Sequence, residues 1–61
     1  MTYLTEKQRD VLDYIRRTIA ATGVAPTLQE IADQFGFRST ASAQKHVGLL
    51  ESKGFLRREK H

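Results

Sequence analysis

The side chains best suited to chemistry lie between Ser39 and Lys53, a stretch reading STASAQKHVGLLESK. The chemistry they suit is hydrogen bonding to a partner, not bond breaking. Gln44 and Lys45 are the long polar side chains. A glutamine amide can pair bidentately with adenine, and a lysine can donate to guanine O6 and N7. Ser39, Ala41 and Ser42 beside them are small enough to let a backbone approach a groove floor. The stretch carries no acid until Glu51. A merely solvated helix face is usually rich in glutamate and lysine, both good helix formers. Gly48 is open to two readings, a tolerated substitution or a point of close approach.

Other chemistries are disfavoured. No spacing sets a nucleophile, a base and an orienting group together, and a domain this small offers little room for a closed pocket. Catalytic residues are therefore expected to be none. The chain has no cysteine, so neither a disulfide framework nor a zinc-finger site is available. His46 and His61 are too few and too far apart for a metal cluster, and neither a metal nor a cofactor is expected. No run approaches the ~18 apolar residues needed to span a membrane, and no signal peptide is visible. A cytoplasmic protein is the default expectation.

Those polar residues need a helix, and the sequence supplies signals for three. Thr5 with Gln8 and Thr27 with Glu30 are capping boxes. They predict helices over about 6–21 and 28–35. The third helix is expected over about 40–53, with Ser39 as its N-cap. Val11, Leu12, Ile15 and Ile19 form the apolar stripe of the first helix; Tyr14 lies at its edge, either packed or exposed. Leu28, Ile31, Ala32 and Phe35 form that of the second, and Ala43, Val47 and Leu50 that of the third. The opposite stripe of the third helix is Ala41, Lys45, Gly48 and Ser52. Asp13 and Arg17 are an i, i+4 ion pair. Gly23 ends the first helix. Gly36 stands where a left-handed C-cap is wanted, and Phe37 is expected to tuck beneath the turn. A helix pair of this kind is a helix-turn-helix, whose usual partner is the major groove of DNA.

With 61 residues the chain makes one domain, over 1–61, and buries only about 60% of its unfolded surface. A strand over about 55–58, with Val24-Ala25-Pro26 as a stub beside it, would begin a β-wing that is short or truncated. The fold class is mainly α, a three-helix winged helix-turn-helix. The net charge of +3 is unevenly spread. Residues 1–36 carry four cations against five carboxylates, and residues 37–61 carry six against two. The basic half holds the presumptive reading helix and the tail, which suits a polyanion. Thr27, Arg38, Thr40 and Lys53 are expected at phosphates. Arg57 and Arg58 are either a solvated strand end or wing contacts to phosphate. His46 borders the buried stripe and is expected to cap the core or meet the first helix, the alternative being a phosphate contact.

Leu-Thr-x-x-Gln near the start, Thr-Gly-x-x-Pro-Thr, Glu-Ile-Ala, Phe-Gly-Phe-Arg-Ser and Lys53-Gly54 together resemble the amino-terminal DNA-binding domain of the LexA family, repressors of the bacterial DNA-damage (SOS) response. The resemblance covers Leu4 to about Arg58. It implies a winged helix-turn-helix that represses transcription as a dimer on a palindromic double-stranded DNA operator, bases being read by the start of the third helix. By position, Ser39 matches the family motif. Ala41, Gln44 and Lys45 depart from the enterobacterial pattern of an asparagine and two glutamates, which changes the expected operator but not the mode of docking. The family also has a self-cleaving carboxy-terminal domain with a serine–lysine dyad, which supplies most of its dimerisation. The isolated domain is accordingly expected to be monomeric or weakly associating. The chain is expected to be an excised domain of such a repressor, the alternative being a small phage or plasmid regulator outside the SOS response. A winged-helix protein-interaction module is the other alternative; its recognition face would be apolar or acidic.

Overall fold

The computed structural model describes residues 3–56. Three helices follow one another: α1, Glu6–Thr22; α2, Leu28–Phe35; and α3, Thr40–Ser52. Each of the first two opens with a reciprocal cap. Gln8 N donates to Thr5 Oγ1 at 3.2 Å while Thr5 N donates to Gln8 Oε1 at 3.1 Å. Glu30 N donates to Thr27 Oγ1 at 3.0 Å, and Thr27 N to Glu30 Oε1 at 2.8 Å. Both boxes satisfy backbone donors that a helix start would otherwise leave open. The helix bounds follow the sequence signals closely, with α1 running one residue further and α3 stopping one residue sooner.

The turn between α2 and α3 is fixed by Gly36, whose φ is +70°. Phe37 N donates back to Ala32 O at 2.9 Å. This is a Schellman closure, and it needs a residue that tolerates the left-handed region. A Cβ at Gly36 would meet nothing within 4 Å. Conformation, and not crowding, therefore requires the glycine. Phe37 follows the turn inward and packs half-buried against the core.

α3 packs against both α2 and α1. The core is small: Val11, Leu12, Ile15, Ile31, Ala32, Ala43 and Leu50 are buried. No polar or charged side chain is buried among the described residues. Around one side runs an aromatic ladder. Tyr14 meets Phe35 edge-on at 5.7 Å, Phe35 stacks on Phe37 at 5.9 Å, and Phe37 stacks on His46 at 4.9 Å. Lys7 places its ammonium 5.6 Å from the Phe35 ring centroid. The ladder thus joins α1, α2, the turn and α3. Tyr14 is accordingly packed, at the edge of the core.

Two of the expected core positions differ. Ile19 is 41% exposed, because it faces a groove between α1 and the α2–α3 pair that no side chain fills. It lines an open apolar groove together with Val24, Leu28, Val47 and Leu56. Val47 is half-buried at the rim of that groove, so the buried stripe of α3 narrows to Ala43 and Leu50. The described residues contain no strand. Gly54, at φ +85°, closes a second Schellman turn in which Phe55 N donates to Leu50 O at 2.9 Å. Phe55 and Leu56 thereby fold back onto the core. Arg57 and Arg58, the rest of the expected strand, lie outside the described residues. No helix among the described residues is long and apolar enough to cross a membrane.

Two stability tests follow from this packing. Ile31→Ala should destabilise by about 2–5 kcal/mol, as expected for truncating a fully enclosed side chain. Val47→Ala should cost about 1 kcal/mol, since that side chain is only partly enclosed. Denaturant unfolding of both variants checks the order, and equal losses would contradict the burial found here. Gly48 makes the opposite test: it stands mid-helix, and an added Cβ would meet nothing within 4 Å. Gly48→Ala should therefore raise stability, by about 0.5–1 kcal/mol. A lower thermal midpoint for this variant would show a steric or conformational need for glycine inside the fold.

Candidate nucleic-acid interface

The exposed polar residues of α3 are arranged by the way the helix is buried. Ala43 and Leu50 point into the core. With about 3.6 residues per turn, the opposite side of the helix falls to Ala41, Lys45, Gly48 and Ser52. Ala41, Gln44, Lys45 and Ser52 are exposed, Gly48 and Ser42 half-buried. No hydrogen bond or ion pair within the described residues engages Gln44, Lys45 or Arg38. Their donors are free to meet a partner. By contrast, exposed Arg17 on α1 is held by Asp13, with Nη2 2.9 Å from the carboxylate. Gln29 on α2 is spent on Asp33, its Nε2 donating at 3.0 Å.

The start of α3 differs from the starts of the other two helices. Ser39 occupies the N-cap position with extended backbone, at φ −151°, but its side chain makes no cap hydrogen bond. The first turn of α3 holds no acid, whereas α1 has Glu6 and α2 has Glu30 there. Its leading backbone N–H groups thus lack a side-chain cap, and the positive end of the helix is not offset by a carboxylate. Thr40 and Arg38 flank it, both exposed. Ser39, Thr40, Ala41, Ser42, Gln44 and Lys45 consequently share the first turn and a half of one helix, with Arg38 on its approach.

Thr27 is exposed at the start of α2, but its oxygen already accepts from Glu30 N and its own N–H is bound. What it retains for an outside acceptor is the hydroxyl hydrogen. Lys53 is placed differently from the expectation of a cluster. It follows the last residue of α3, about 20 Å along the axis from Thr40 at about 1.5 Å per residue. Its ammonium donates to Tyr3 O at 3.2 Å and lies 3.4 Å from Gln8 Oε1. It clamps the entry of α1 to the exit of α3. No local signal in the sequence could have shown this, since the partners lie 45 and 50 residues away.

His46 is the contact that sequence reasoning only bracketed. It is half-buried, with its ring lying on Phe37 at an interplanar angle of 14°. Its Nδ1 stands 2.9 Å from Ser42 O. It does border the core, but through Phe37 in the turn and not through α1. Among the described residues no group of three or more histidine, cysteine, aspartate or glutamate side chains could hold a metal ion.

The family model for the LexA DNA binding domain matches residues 1–61, the whole chain. The chain is 49% identical over 59 residues to the LexA repressor of Sorangium cellulosum, a match covering 97% of this chain and 26% of that protein. It is 51% identical over 55 residues to the LexA repressor of Bordetella pertussis, covering 90% and 26% respectively. With the LexA repressor of Shewanella frigidimarina the identity is 45% over 56 residues, covering 92% and 28%. The chain thus spans about a quarter of the length of these curated relatives. It belongs to the LexA DNA binding domain family.

Proposed function

We propose that this domain binds double-stranded DNA sequence-specifically, as the operator-reading part of a LexA-type transcriptional repressor of the SOS response. The observation that carries the reading is the outward face of α3. It is acid-free along its first turns, small at Ala41 and Gly48, and bears Gln44 and Lys45 without partners among the described residues. Such a face can lie in a major groove about 12 Å wide and present donors to base edges. An apolar or acidic face would instead suit a protein partner.

In this reading Ser39, Ala41, Ser42, Gln44 and Lys45 meet bases. Arg38, Thr40 and the Thr27 hydroxyl meet phosphates on either side, and the uncapped N–H groups of α3 add donors of the same kind. Arg57 and Arg58 would extend the phosphate contacts. Lys53 would join them only by exchanging its bonds to Tyr3 and Gln8 for a phosphate. Binding as a homodimer to a palindromic operator belongs to the same proposal, because two copies related by a two-fold axis would read two half-sites. So does residence in the bacterial cytoplasm, where such an operator would be found.

The electrostatic part is tested by salt. Log affinity for duplex DNA should fall linearly with log salt, with a slope of about −0.9 per phosphate neutralised. Fluorescence anisotropy at several salt concentrations reads this directly. Duplex binding indifferent to salt would remove the phosphate contacts from the proposal.

The reading part is tested by selection from random duplexes. Gln44→Glu with Lys45→Glu removes the adenine-pairing amide and reverses one charge, and glutamate accepts from cytosine N4. The double variant should prefer a different sequence, at about 1–3 kcal/mol per altered base pair. If it selects the same consensus as the unaltered chain, α3 is not the reading element.

A further inference from the structure

We propose that His46 contacts a DNA phosphate and takes up a proton when the domain binds. This rests on the DNA-binding reading above and assigns to it a residue and a proton that the base-reading set does not include.

The argument begins with the tautomer. Nδ1 of His46 lies 2.9 Å from the backbone carbonyl of Ser42. A carbonyl oxygen only accepts, so Nδ1 carries a hydrogen and donates it. In the neutral ring Nε2 is then a bare acceptor. In the imidazolium Nε2 carries a second N–H. No residue among those described bonds Nε2. His46 is half-buried, yet no buried side-chain nitrogen or oxygen is without a partner. Nε2 therefore reaches solvent.

The place it reaches is set by two restraints. The ring stacks on Phe37, 4.9 Å between centroids, in the turn that leads directly to Arg38 and Ser39. The Ser42 bond fixes it against the first turns of α3. When those turns lie in a major groove, this flank of the helix meets the wall of the groove, which is phosphate. A phosphate oxygen accepts and cannot donate. It repels the bare lone pair of the neutral ring and accepts from the Nε2–H of the charged one. Contact and protonation are thus one event, and histidine is the side chain for which that event falls near neutral pH.

The charged neighbours agree with this. Lys45 on α3 and Arg38 in the turn are cations, and Lys7 of α1 stands over Phe35, the next ring of the ladder. A phosphate brought to this flank would meet an anion-seeking group of cations there. Of the acids on the packed elements, Glu6 and Asp10 of α1 are exposed to solvent, and three others are engaged elsewhere. Glu30 is tied into the cap of α2, Asp33 to Gln29, and Asp13 to Arg17. Glu51 lies more than a turn further along α3. The stack on Phe37 also suits a charged ring, since a cation over an aromatic face is attracted by the ring quadrupole.

The test uses the whole chain and the duplex it selects, between about pH 5.5 and about pH 8. Affinity should rise as pH falls, by up to about tenfold per unit, the limit for one linked proton. The salt slope should also steepen at the acid end by about 0.9 per bound chain, because one more phosphate is neutralised. A histidine that only packs the turn would leave the salt slope independent of pH. His46→Gln should bind with no pH dependence, and His61→Gln should keep that of the unaltered chain. The proposal falls if the unaltered chain binds tightly with the same salt slope at both ends of the range. It falls equally if the dependence survives His46→Gln or is lost in His61→Gln. Should His46→Gln fail to fold, the salt slopes of the unaltered chain and of His61→Gln decide alone. A chain that binds no duplex at any pH overturns the DNA-binding reading itself, and the His46 contact with it.

Discussion

At Gly36 the backbone passes through φ +70°, and the relation between α2 and α3 follows from that one left-handed residue. It lets Phe37 N return to Ala32 O, which ends α2 and redirects the chain within three residues of the start of α3. Ala32 is both the acceptor of that bond and a buried contact of the core. The bond that closes the turn and the packing that holds the two helices together therefore share a residue. A side chain at Gly36 would find space but not a comfortable backbone conformation.

The enclosed core is modest, and the structure makes up for it at the edges. Tyr14, Phe35, Phe37 and His46 form a half-buried ladder that ties three helices and the turn together. Paired rings contribute about 0.5–1.5 kcal/mol beyond the area they bury. Lys53 adds a clamp between the two ends of the chain by holding the Tyr3 carbonyl. Each of these contacts restrains α3 from behind or from the side. None uses the outward face, so the helix can be held rigidly while its outward polar side chains remain uncommitted among the described residues. Preorganisation of this kind limits the ordering entropy that binding would otherwise cost.

Polarity follows the same division. The capping boxes of α1 and α2 spend their polar side chains inside the chain, and the Asp13–Arg17 pair does likewise. At α3 the pattern reverses. Ser39 leaves its cap unmade, no acid stands in the first turn, and Arg38, Gln44 and Lys45 are unpaired among the described residues. Unsatisfied donors cost little where water can reach them, but they gain when an anion replaces the water. The face that contributes least to folding is thus the one most available for binding.

Much of this was legible in the chain because the signals are local. Thr5 with Gln8, Thr27 with Glu30, and Gly36 in the turn specify starts and stops within four residues of themselves. The stripe of Ala43 and Leu50 defines its own opposite face by helical period alone. Family membership was legible for a related reason, since short motifs in fixed order survive where side-chain detail does not. Tertiary structure decided what depends on residues distant in sequence. Ile19 has the right period for a core residue, yet it is exposed because it faces an open groove instead of a packed neighbour. Val47 is only half-covered for lack of a neighbour on that side. Lys53, expected from the sequence at a phosphate, donates in the fold to a carbonyl 50 residues away. His46 could be placed at the border of the core by its sequence position, but only the fold puts its ring on Phe37 and its Nδ1 on Ser42 O. Periodicity tells which side of a helix turns inward, but only the packing of whole helices tells how far the cover extends.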